Sequence, residues 1–438
     1  MSVRPARRRN PNMVWAFATA LDAEQSRAAA LLAQALRCSP AIARILVRRG
    51  YTTPQEVHVF RQRRMDSLLD PDLLPDMALA VARIAEAIEK KQSILLFGDY
   101  DVDGISATAL LARFLKLVQQ RKPGFKVTAR VPERRHGYGL SPEAVRQIRE
   151  LKPDLVVTLD NGSTSHAAVD ALNADGIDSV IVDHHTLEAK LPAAHAVINP
   201  KREDSTYGFR ELCGAALSFK LAWALAKHFS HDRRVTPEFK AFLLDAMALA
   251  ATGTIADVVP LRGENRVLAW HGLDALSKTK LPGLRALMQV AQIEGLPTAT
   301  DISFRIGPRI NAAGRCADAA HALDLLLTDD PQRATELAAR LNDCNTERQA
   351  IESRMLEEAR AQAQARIAND PQCRGLVLHS KEWQHGLVGI VAARMVEEFN
   401  RPSLLLALNA ETGVAQGSGR SIRGLNLHSA MAEHRALF

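Results

Sequence analysis

The first part of the chain shows a helical pattern of hydrophobic and polar positions. Residues 21–88 are predicted to be mostly helical, and the segment SPAIARILVRRG at 39–50 is the clearest case. It begins with Ser-Pro, spaces its apolar residues three and four apart, and ends at a glycine. The segment DPDLLPDM at 70–77 lacks this period and contains two prolines. We therefore expect helices joined by an irregular connector.

From residue 93 the pattern changes to short apolar runs, each followed by a stretch of helical period. Strands alternating with helices predict a parallel sheet with helices on both faces. Residues 213–252 then have a mostly helical pattern. The predicted strands are SILLFGDYD at 93–101, KVTARVP at 126–132, DLVVTLD at 154–160 and DSVIVD at 178–183.

The longest helical pattern covers residues 331–370. It is rich in Ala, Glu, Arg and Leu and has no internal glycine or proline after its first position. Beyond it, GLVLHS and PSLLLAL have the pattern of strands, and LVGIVAARMVEEFN between them has that of a helix. The pattern predicts a long helix that connects a large α/β domain to a second, smaller α/β unit.

Composition and charge narrow the class of protein. A chain of 438 residues is too long for one ordinary core, and 47% hydrophobic with 24% charged residues is typical of a soluble globular protein. Residues 1–66 carry 12 Lys and Arg against 4 Asp and Glu, a net +8, so the rest is close to neutral. This asymmetry favours a polyanionic partner such as nucleic acid, with a solvated basic face as the alternative.

The sequence gives no sign of a membrane or secreted protein. We find no run of about 18 uncharged apolar residues and no signal-peptide pattern at the start. The five cysteines are scattered and include no CxxC pair, which argues against disulfides and a thiolate zinc site. We therefore expect a cytoplasmic protein that does not bind membranes.

Acidic residues follow three of the predicted strands. Asp99, Asp101 and Asp103 come after the first strand, Asp160 after the third, and Asp183-His184-His185 after the fourth. Because the carboxyl ends of parallel strands meet at one edge, these side chains are expected to lie together. Asp257 is a further candidate, expected in a glycine-containing loop after an apolar helix.

Such a cluster predicts a divalent metal site. Unpaired carboxylates this close would repel each other, and a cation removes the repulsion. Oxygen ligands with one or two imidazoles suit Mn²⁺ or Mg²⁺. The number of acids suggests two ions, the arrangement that cleaves phosphate esters. A solvated turn and a structural histidine pair remain the alternatives for each motif taken alone.

The spacing of the first three acids also predicts their geometry. In an extended chain, side chains two residues apart share a face, so Asp99, Asp101 and Asp103 are expected to point the same way. Gly104 is then expected to let the backbone turn sharply into the following helix.

At these residues the sequence resembles the DHH phosphoesterase superfamily and, within it, the RecJ family of single-strand-specific 5′ exonucleases. The resemblance covers about residues 35–430. Its motifs are GDYDVDGISA at 98–107, TLDNGST at 158–164, VDHHT at 182–186, GTIADVVPL at 253–261, RIGPRINAAGR at 305–315 and GSGRSIRG at 417–424.

The resemblance implies an α/β fold in which a parallel-sheet DHH domain is joined by a long helix to a smaller, incomplete α/β domain of the DHHA1 type. The implied divisions are a basic helical region at 1–78, the DHH domain at 79–328, the connecting helix at 329–370 and the nucleic-acid-binding domain at 371–438.

It also implies roles for the acidic cluster around two divalent cations, Mn²⁺ or Mg²⁺. The ligands would be Asp101, Asp103, Asp160, His184 and Asp257, with Asp160 bridging the ions. Asp99 would be a further ligand or lie just behind the ligands. Asp183 would orient His184, and His185 would face the scissile phosphate.

A pocket for a 5′-phosphate is implied at Ser418 and Arg420, together with Arg134. Arg309, Asn311 and Arg315 would line the path of the strand, and His385 would lie near the cleft between the domains. An ordinary loop role is the alternative for each of these residues.

The implied function is a metal-dependent exonuclease that degrades single-stranded DNA from the 5′ end to mononucleotides in repair and recombination. Single-strand-binding protein or a repair helicase would be its partners. The alternatives are a phosphatase or short-oligonucleotide phosphodiesterase, and a non-catalytic strand-binding protein. RecJ-like chains normally continue with a glycine-histidine-rich motif and an oligonucleotide-binding barrel; this sequence ends at LHSAMAEHRALF, so we expect a shortened form.

Overall fold

The computed structural model describes residues 19–434, except 135, 136, 138, 231–233, 317, 410 and 411. Its chain divides into two compact units, Met1–Met65 and Asp66–Phe438. The predicted N-terminal region at 1–78 extends past this division, and its first 18 residues lie outside the described part. The proposed domain boundaries remain predictions.

The described part of the first unit contains three α-helices, α1 (Ala23–Ala35), α2 (Pro40–Arg48) and α3 (Pro54–Arg61). Each begins where the sequence supplies a cap. The Ser39 hydroxyl accepts a hydrogen bond from the amide of Ile42 at the start of α2. A small core holds the three helices together, formed by Ala29, Leu32, Ala43, Val47 and Val57.

The second unit contains all eight strands and the remaining helices that the structure describes. The strands are β1 (Ser93–Gly98), β2 (Lys126–Arg130), β3 (Leu155–Leu159), β4 (Asp178–Val182), β5 (Ala196–Ile198), β6 (Leu376–Ser380), β7 (Ser403–Leu408) and β8 (Ala415–Arg420). The helices are α4 (Met77–Glu89), α5 (Val102–Arg121), α6 (Pro142–Leu151), α7 (His166–Ala174), α8 (Gly214–Ser230), α9 (Pro237–Ala256), α10 (Gly263–Ser277), α11 (Pro282–Val290), α12 (Ala299–Asp301), α13 (Gly307–Cys316), α14 (Ala320–Leu327), α15 (Pro331–Asn369), α16 (His385–Phe399) and α17 (Leu427–Glu433).

The first five strands form one parallel sheet in the order β2-β1-β3-β4-β5. Alternate residues of each strand enter different cores because strand side chains alternate in direction. Leu95 and Phe97 pack with α6 and α7 on one face, whereas Ile94 and Leu96 join the larger core on the other. The predicted α/β class with a parallel sheet is confirmed. Strand β5 was not predicted, since three residues are too few to show a period.

Helix α9 is, by length and composition alone, apolar enough to cross a membrane. However, 67% of its most hydrophobic window is buried inside the molecule, where α9 packs against α5, α8 and α10. The burial identifies α9 as a core helix. Its length matters for the site below, because it carries Asp257 at its carboxyl end.

Helix α15 has 39 residues and agrees closely with the predicted long helix. Its second half shares a core with a three-stranded sheet in the order β6-β7-β8, in which β8 is antiparallel to β7. Strand β8, which contains the motif Gly-Ser-Gly-Arg, was missed because it has no alternating apolar pattern. Helix α16 packs against this sheet and supports both β7 and β8.

Candidate active site

The register of the large sheet brings acidic residues into one row. Gly98 of β1 pairs with Leu159 of β3, and Leu159 pairs with Val182 of β4. The next residues along these strands are Asp99, Asp160 and Asp183, each at most 2% exposed. Three carboxylates therefore lie side by side at the carboxyl edge of the sheet, as predicted.

The geometry predicted for the first motif was wrong. Strand β1 ends at Gly98, Asp101 is the N-cap of α5, and Asp103 lies in the first helical turn, so the three acids do not alternate along an extended chain. The Asp101 carboxylate accepts hydrogen bonds from the amides of Asp103 and Gly104 at 2.9 and 3.0 Å. Capping the helix outweighs strand alternation here because it satisfies amides that would otherwise lack partners.

Gly104 also acts differently from the prediction, since it lies inside α5 rather than at a sharp turn. A Cβ atom there would lie 2.5 Å from the amide nitrogen of Asp99. Two other glycines have the same effect: a Cβ at Gly214 would lie 2.5 Å from the Cβ of Asp160, and one at Gly253 would lie 2.4 Å from Oδ1 of Asp103. These glycines allow α5, α8 and α9 to close around the acids.

Helix α8 also fixes the direction of Asp103. The Asp103 carboxylate accepts hydrogen bonds from the amides of Gly214 and Ala215, at 2.6 and 2.9 Å. These amides belong to the first turn of α8, where backbone donors are unpaired within the helix. A carboxylate held in this way keeps its orientation without using a second side chain.

Asp257 reaches the cluster from the end of α9. The sequence predicted a glycine-containing loop here, but Gly253 is helical and Asp257 is the C-cap residue. The ring of His184 lies among these acids: its Nε2 atom is 3.1 Å from Asp160 Oδ1, 3.7 Å from Asp257 Oδ2 and 3.9 Å from Asp103 Oδ2.

The possible ligand atoms fall into overlapping groups. Within each group the atoms lie within 4.8 Å of one another. One group is Asp103, His184 and Asp257; a second is Asp99, Asp101 and Asp160; a third is Asp160, His184 and His185. Asp160 and His184 connect the groups, and Asp99 lies with Asp101 and Asp160.

The electrostatics of the cluster suit bound cations. Burial, and then the neighbouring carboxylates, raises the pKa of Asp99 and of Asp257 to about 7 and that of Asp160 well above its usual range. Oδ1 of Asp99 is buried with no hydrogen-bond partner among the described residues. Burial lowers the pKa of His184, which favours the neutral form that binds metal. The donor set fits Mn²⁺ or Mg²⁺.

Asp183 contacts the ring of His185 rather than that of His184. Its Oδ1 atom lies 2.7 Å from His185 Nδ1 and also accepts the backbone amides of His184 and His185. The contact with Asp183 raises the pKa of His185. Burial alone would raise the pKa of Asp183, but the hydrogen bonds that its carboxylate accepts lower it below its usual value. The His185 side chain is 46% exposed, so its ring faces the open side of the cluster. The raised pKa means that the ring is readily protonated there.

The three residues predicted for the phosphate pocket, Ser418, Arg420 and Arg134, line one cavity of about 570 Å³. Arg315, predicted to line the path of the strand, and His385, predicted to lie near the cleft between the domains, line the same cavity. Arg420 donates a hydrogen bond to the Ser418 hydroxyl at 2.8 Å. The Arg134 guanidinium lies over the ring of Tyr100, 4.8 Å from its centroid. Gly389 on α16 leaves room for Ser418 and Arg420, because a Cβ atom at position 389 would lie 3.1 Å from Ser418 Oγ.

A second cavity, of about 540 Å³, is lined by Asn311 and again by Arg315. Its lining also includes Ala256, next to Asp257, and two arginines that the sequence analysis missed, Arg348 and Arg394. Arg348 and Arg394 lie in the regular helical patterns of α15 and α16, where an arginine by itself gives no functional signal.

Arg309 does not line either cavity. Its guanidinium donates to the side chain of Asn342 at 3.1 Å and to the carbonyls of Arg305 and Val290 at 2.6 and 3.2 Å. Arg309 therefore ties α13 to α15 and α11. Its predicted contact with the DNA strand remains a prediction. The spacing of arginines in this motif does not show which of them have a structural role and which are exposed.

Comparison with known proteins agrees with this geometry. The model of the DHH family, N-terminal domain, matches residues 93–251. The single-stranded-DNA-specific exonuclease RecJ of Bacillus subtilis is 35% identical over 406 residues, which cover 92% of this chain and 49% of that protein. RecJ of Escherichia coli is 35% identical over 91% of this chain and 69% of its own length.

Solved structures show the same likeness. RecJ of Thermus thermophilus in complex with Mn²⁺ superimposes with a TM-score of 0.76 at 32% identity, covering 94% of this chain and 56% of that one. An exonuclease RecJ bound to manganese superimposes with a TM-score of 0.69 at 35% identity, covering 82% of this chain and 85% of that one. The chain thus spans from about half to two thirds of the length of the curated relatives above. The identity along most of the chain shows that it belongs to the RecJ family of DHH proteins.

Proposed function

We propose that the chain is a metal-dependent exonuclease that degrades single-stranded DNA from its 5′ end and releases mononucleotides. The observation that carries this proposal is the set of three overlapping groups of possible ligand atoms, which Asp160 and His184 connect. Relatives described as single-stranded-DNA-specific exonucleases, and relatives solved with Mn²⁺ and Mg²⁺, support the same conclusion.

Two divalent cations would be held by the two groups of ligands. Asp103, His184 and Asp257 would hold one, and Asp99, Asp101 and Asp160 the other. Because Asp160 Oδ1 lies 3.1 Å from His184 Nε2, Asp160 is the carboxylate proposed to bridge the two ions. When bound, two such ions supply a hydroxide nucleophile and stabilise the entering and leaving oxygens at phosphorus. The protein fixes the ligands in advance, through the α8 amides on Asp103 and the α5 amides on Asp101.

His185 would stabilise negative charge on the scissile phosphate. The Asp183 carboxylate orients the ring through Nδ1, which leaves Nε2 as the atom that can donate to a phosphate oxygen. The raised pKa of His185 favours the protonated ring, which is the form that donates from both nitrogens. Asp183 is therefore assigned as a positioning residue for His185.

Recognition of the 5′ end would take place in the cavity lined by Ser418, Arg420 and Arg134. A terminal phosphate carries more negative charge than an internal phosphodiester and offers three free oxygens. Two guanidinium groups and a hydroxyl match that geometry better than they match an internal phosphate. Such a pocket would set the direction of cleavage, while Asn311 and Arg315 would contact the backbone of the strand that follows.

We further propose a role in DNA repair and recombination in the cytoplasm, with single-strand-binding protein or a repair helicase as partner. The class of the relatives supports the role. The four cysteines whose side chains the structure describes form no disulfide, in keeping with a reducing compartment.

The decisive assay uses single strands labelled at the 3′ end that carry either a 5′-phosphate or a 5′-hydroxyl. With Mn²⁺ or Mg²⁺ we expect the labelled 5′-phosphorylated strand to shorten stepwise as unlabelled mononucleotides leave its 5′ end. The 5′-hydroxyl strand should shorten more slowly, and neither strand should shorten with chelator. Asp160→Asn should abolish cleavage, and Asp170→Asn, an exposed acid on α7, should leave it unchanged. Arg420→Ala should remove the preference for the 5′-phosphate.

Two outcomes would contradict the proposal. Hydrolysis of dinucleotides without cleavage of longer strands would indicate a short-oligonucleotide phosphodiesterase instead. Strand binding with no turnover in either metal would indicate a non-catalytic binding protein.

A further inference from the structure

Phe304 is a phenylalanine that the fold holds out towards solvent. It is 74% exposed and lies in a π-helical turn, Ile302–Ile306, between α12 and α13. Turns of this type are rare and occur frequently at functional sites. The roles already assigned to the metal ligands and the phosphate pocket do not involve this ring.

The turn that carries Phe304 is firmly anchored. Ile302 and Ile306, on either side, are completely buried in the main core. The side chain of Arg305 donates to Asp301 Oδ1 at 3.0 Å and to the carbonyl of Gln292 at 2.6 Å. The exposed ring therefore projects from a fixed backbone, so a ligand that binds it needs to order little of the protein.

Phe304 lies on the wall that the two cavities share. Both cavities are lined by Phe304, Arg315, Ile390 and Arg394. The first cavity continues to Ala256, the residue before Asp257, and the second continues to Ser418 and Arg420. A molecule that extends from the phosphate pocket past the metal ligands would pass this ring.

The surroundings of the ring have the chemistry of a site for single-stranded nucleic acid. Such sites combine cations that follow the backbone with aromatic rings on which bases stack. Arg315 and Arg394 supply cations beside Phe304, and Ile390 extends the apolar surface. Inside a duplex each base is paired and is stacked on both faces, whereas an unpaired strand offers free base faces along its length.

We propose that Phe304 is a base-stacking residue that holds one nucleobase of the substrate strand while the arginines contact its phosphates. This inference rests on the proposed function and adds a contact to bases that is independent of their sequence. Stacking on a phenyl ring tolerates any base because every base has a flat π face. The arginines beside the ring favour strands over mononucleotide products, which have no further phosphates to bind.

The test measures binding of fluorescent, 5′-phosphorylated oligothymidine by anisotropy, in chelator so that no cleavage occurs. A second set of strands carries one abasic residue, moved along the strand from the 5′ end. We expect Phe304→Ala to weaken binding about tenfold, the effect of losing one base stack. Phe304→Trp should bind as tightly as the unmodified protein. Leu296→Ala, an exposed apolar side chain outside both cavities, is the matched control.

The abasic strands identify the stacked base. With the abasic residue at one position, the unmodified protein should bind about tenfold more weakly than it binds the intact strand, as Phe304→Ala does. Phe304→Ala should bind that abasic strand no more weakly than it binds the intact strand. In cleavage assays with Mn²⁺, Phe304→Ala should raise KM and leave kcat nearly unchanged. If the chain cleaves strands but Phe304→Ala binds them normally, or if the abasic penalty persists in Phe304→Ala, this inference is wrong and the proposed function stands. A chain that neither binds nor cleaves strands overturns both.

Discussion

His184 and Asp160 are in direct contact at the edge of the sheet: Nε2 of the ring lies 3.1 Å from Oδ1 of the carboxylate. Asp160 follows β3 and has a φ angle of 65°, a left-handed conformation that is uncommon outside glycine. His184 follows β4 by two residues. The contact links the group of Asp99, Asp101 and Asp160 to the group of Asp103, His184 and Asp257.

The metal-free chain should lose stability as pH rises from about 4 to about 7. Asp99 and Asp257 have pKa values raised to about 7 in the folded chain, against about 4 when unfolded. Within this window the folded state keeps protons that the unfolded state releases, so the free energy of unfolding falls as pH rises. Urea titrations in chelator would measure the trend. A stability that increases across the window would contradict the assignment.

Metal binding should have the opposite pH dependence. The carboxyl groups must release their protons to bind a cation, so the affinity for Mn²⁺ should increase with pH between about 5 and 7. Calorimetric titrations in buffers of different ionisation enthalpy would count the protons released on binding. An affinity independent of pH would show that these carboxyl groups do not hold the metal.

Replacement of Asp183 should act through His185. Asp183→Asn keeps a side-chain oxygen that can accept the backbone amides but removes the charge beside Nδ1. We expect the pKa of His185 to fall, and kcat to fall roughly 10- to 100-fold with little change in KM. Histidine NMR titration and steady-state kinetics on a 5′-phosphorylated strand would test both. A normal His185 titration in the variant would contradict this role.

The glycines around the cluster should not tolerate alanine. Gly214→Ala would place a Cβ atom 2.5 Å from the Cβ of Asp160, which forces α8 away from β3. We expect a loss of about 1–3 kcal/mol in stability and weaker binding of Mn²⁺. Gly375→Ala is the control, because its new Cβ would meet its nearest atom at an ordinary 3.7 Å. Equal behaviour of the two variants, measured by thermal unfolding and metal titration, would contradict the packing argument.

A buried ion pair away from the site should affect stability alone. Lys220 is fully buried, forms an ion pair with Glu264 and donates to the carbonyl of Leu69 at 2.6 Å. Lys220→Met leaves the Glu264 charge buried beside the Tyr207 hydroxyl, which should cost about 3–5 kcal/mol. The exposed pair Lys278–Asp274 is the control, and Lys278→Met should change stability little. Urea unfolding would measure the free energy of unfolding of both variants. Equal losses for Lys220→Met and Lys278→Met would contradict the prediction.

The sequence predicted the layout of the site because strand ends and acidic residues are local features. Asp99, Asp160 and Asp183 could be placed in one row once the sheet was recognised as parallel. The turn of the chain at Asp101 could not be predicted from the sequence. Helix capping competes there with extension of the strand, and only the packing of α5 decides between the two. Strand β8 and the exposed ring of Phe304 depend on neighbours distant in sequence, which no periodicity records. The structural role of Arg309 was missed for the same reason.

We propose that one chain holds two metal ions in the acidic cluster. The most direct measurement is anomalous diffraction at the manganese absorption edge from crystals grown with Mn²⁺. We expect two peaks, one beside Asp103, His184 and Asp257, and the other beside Asp99, Asp101 and Asp160. A single peak in the cluster, or peaks only elsewhere on the chain, would contradict it.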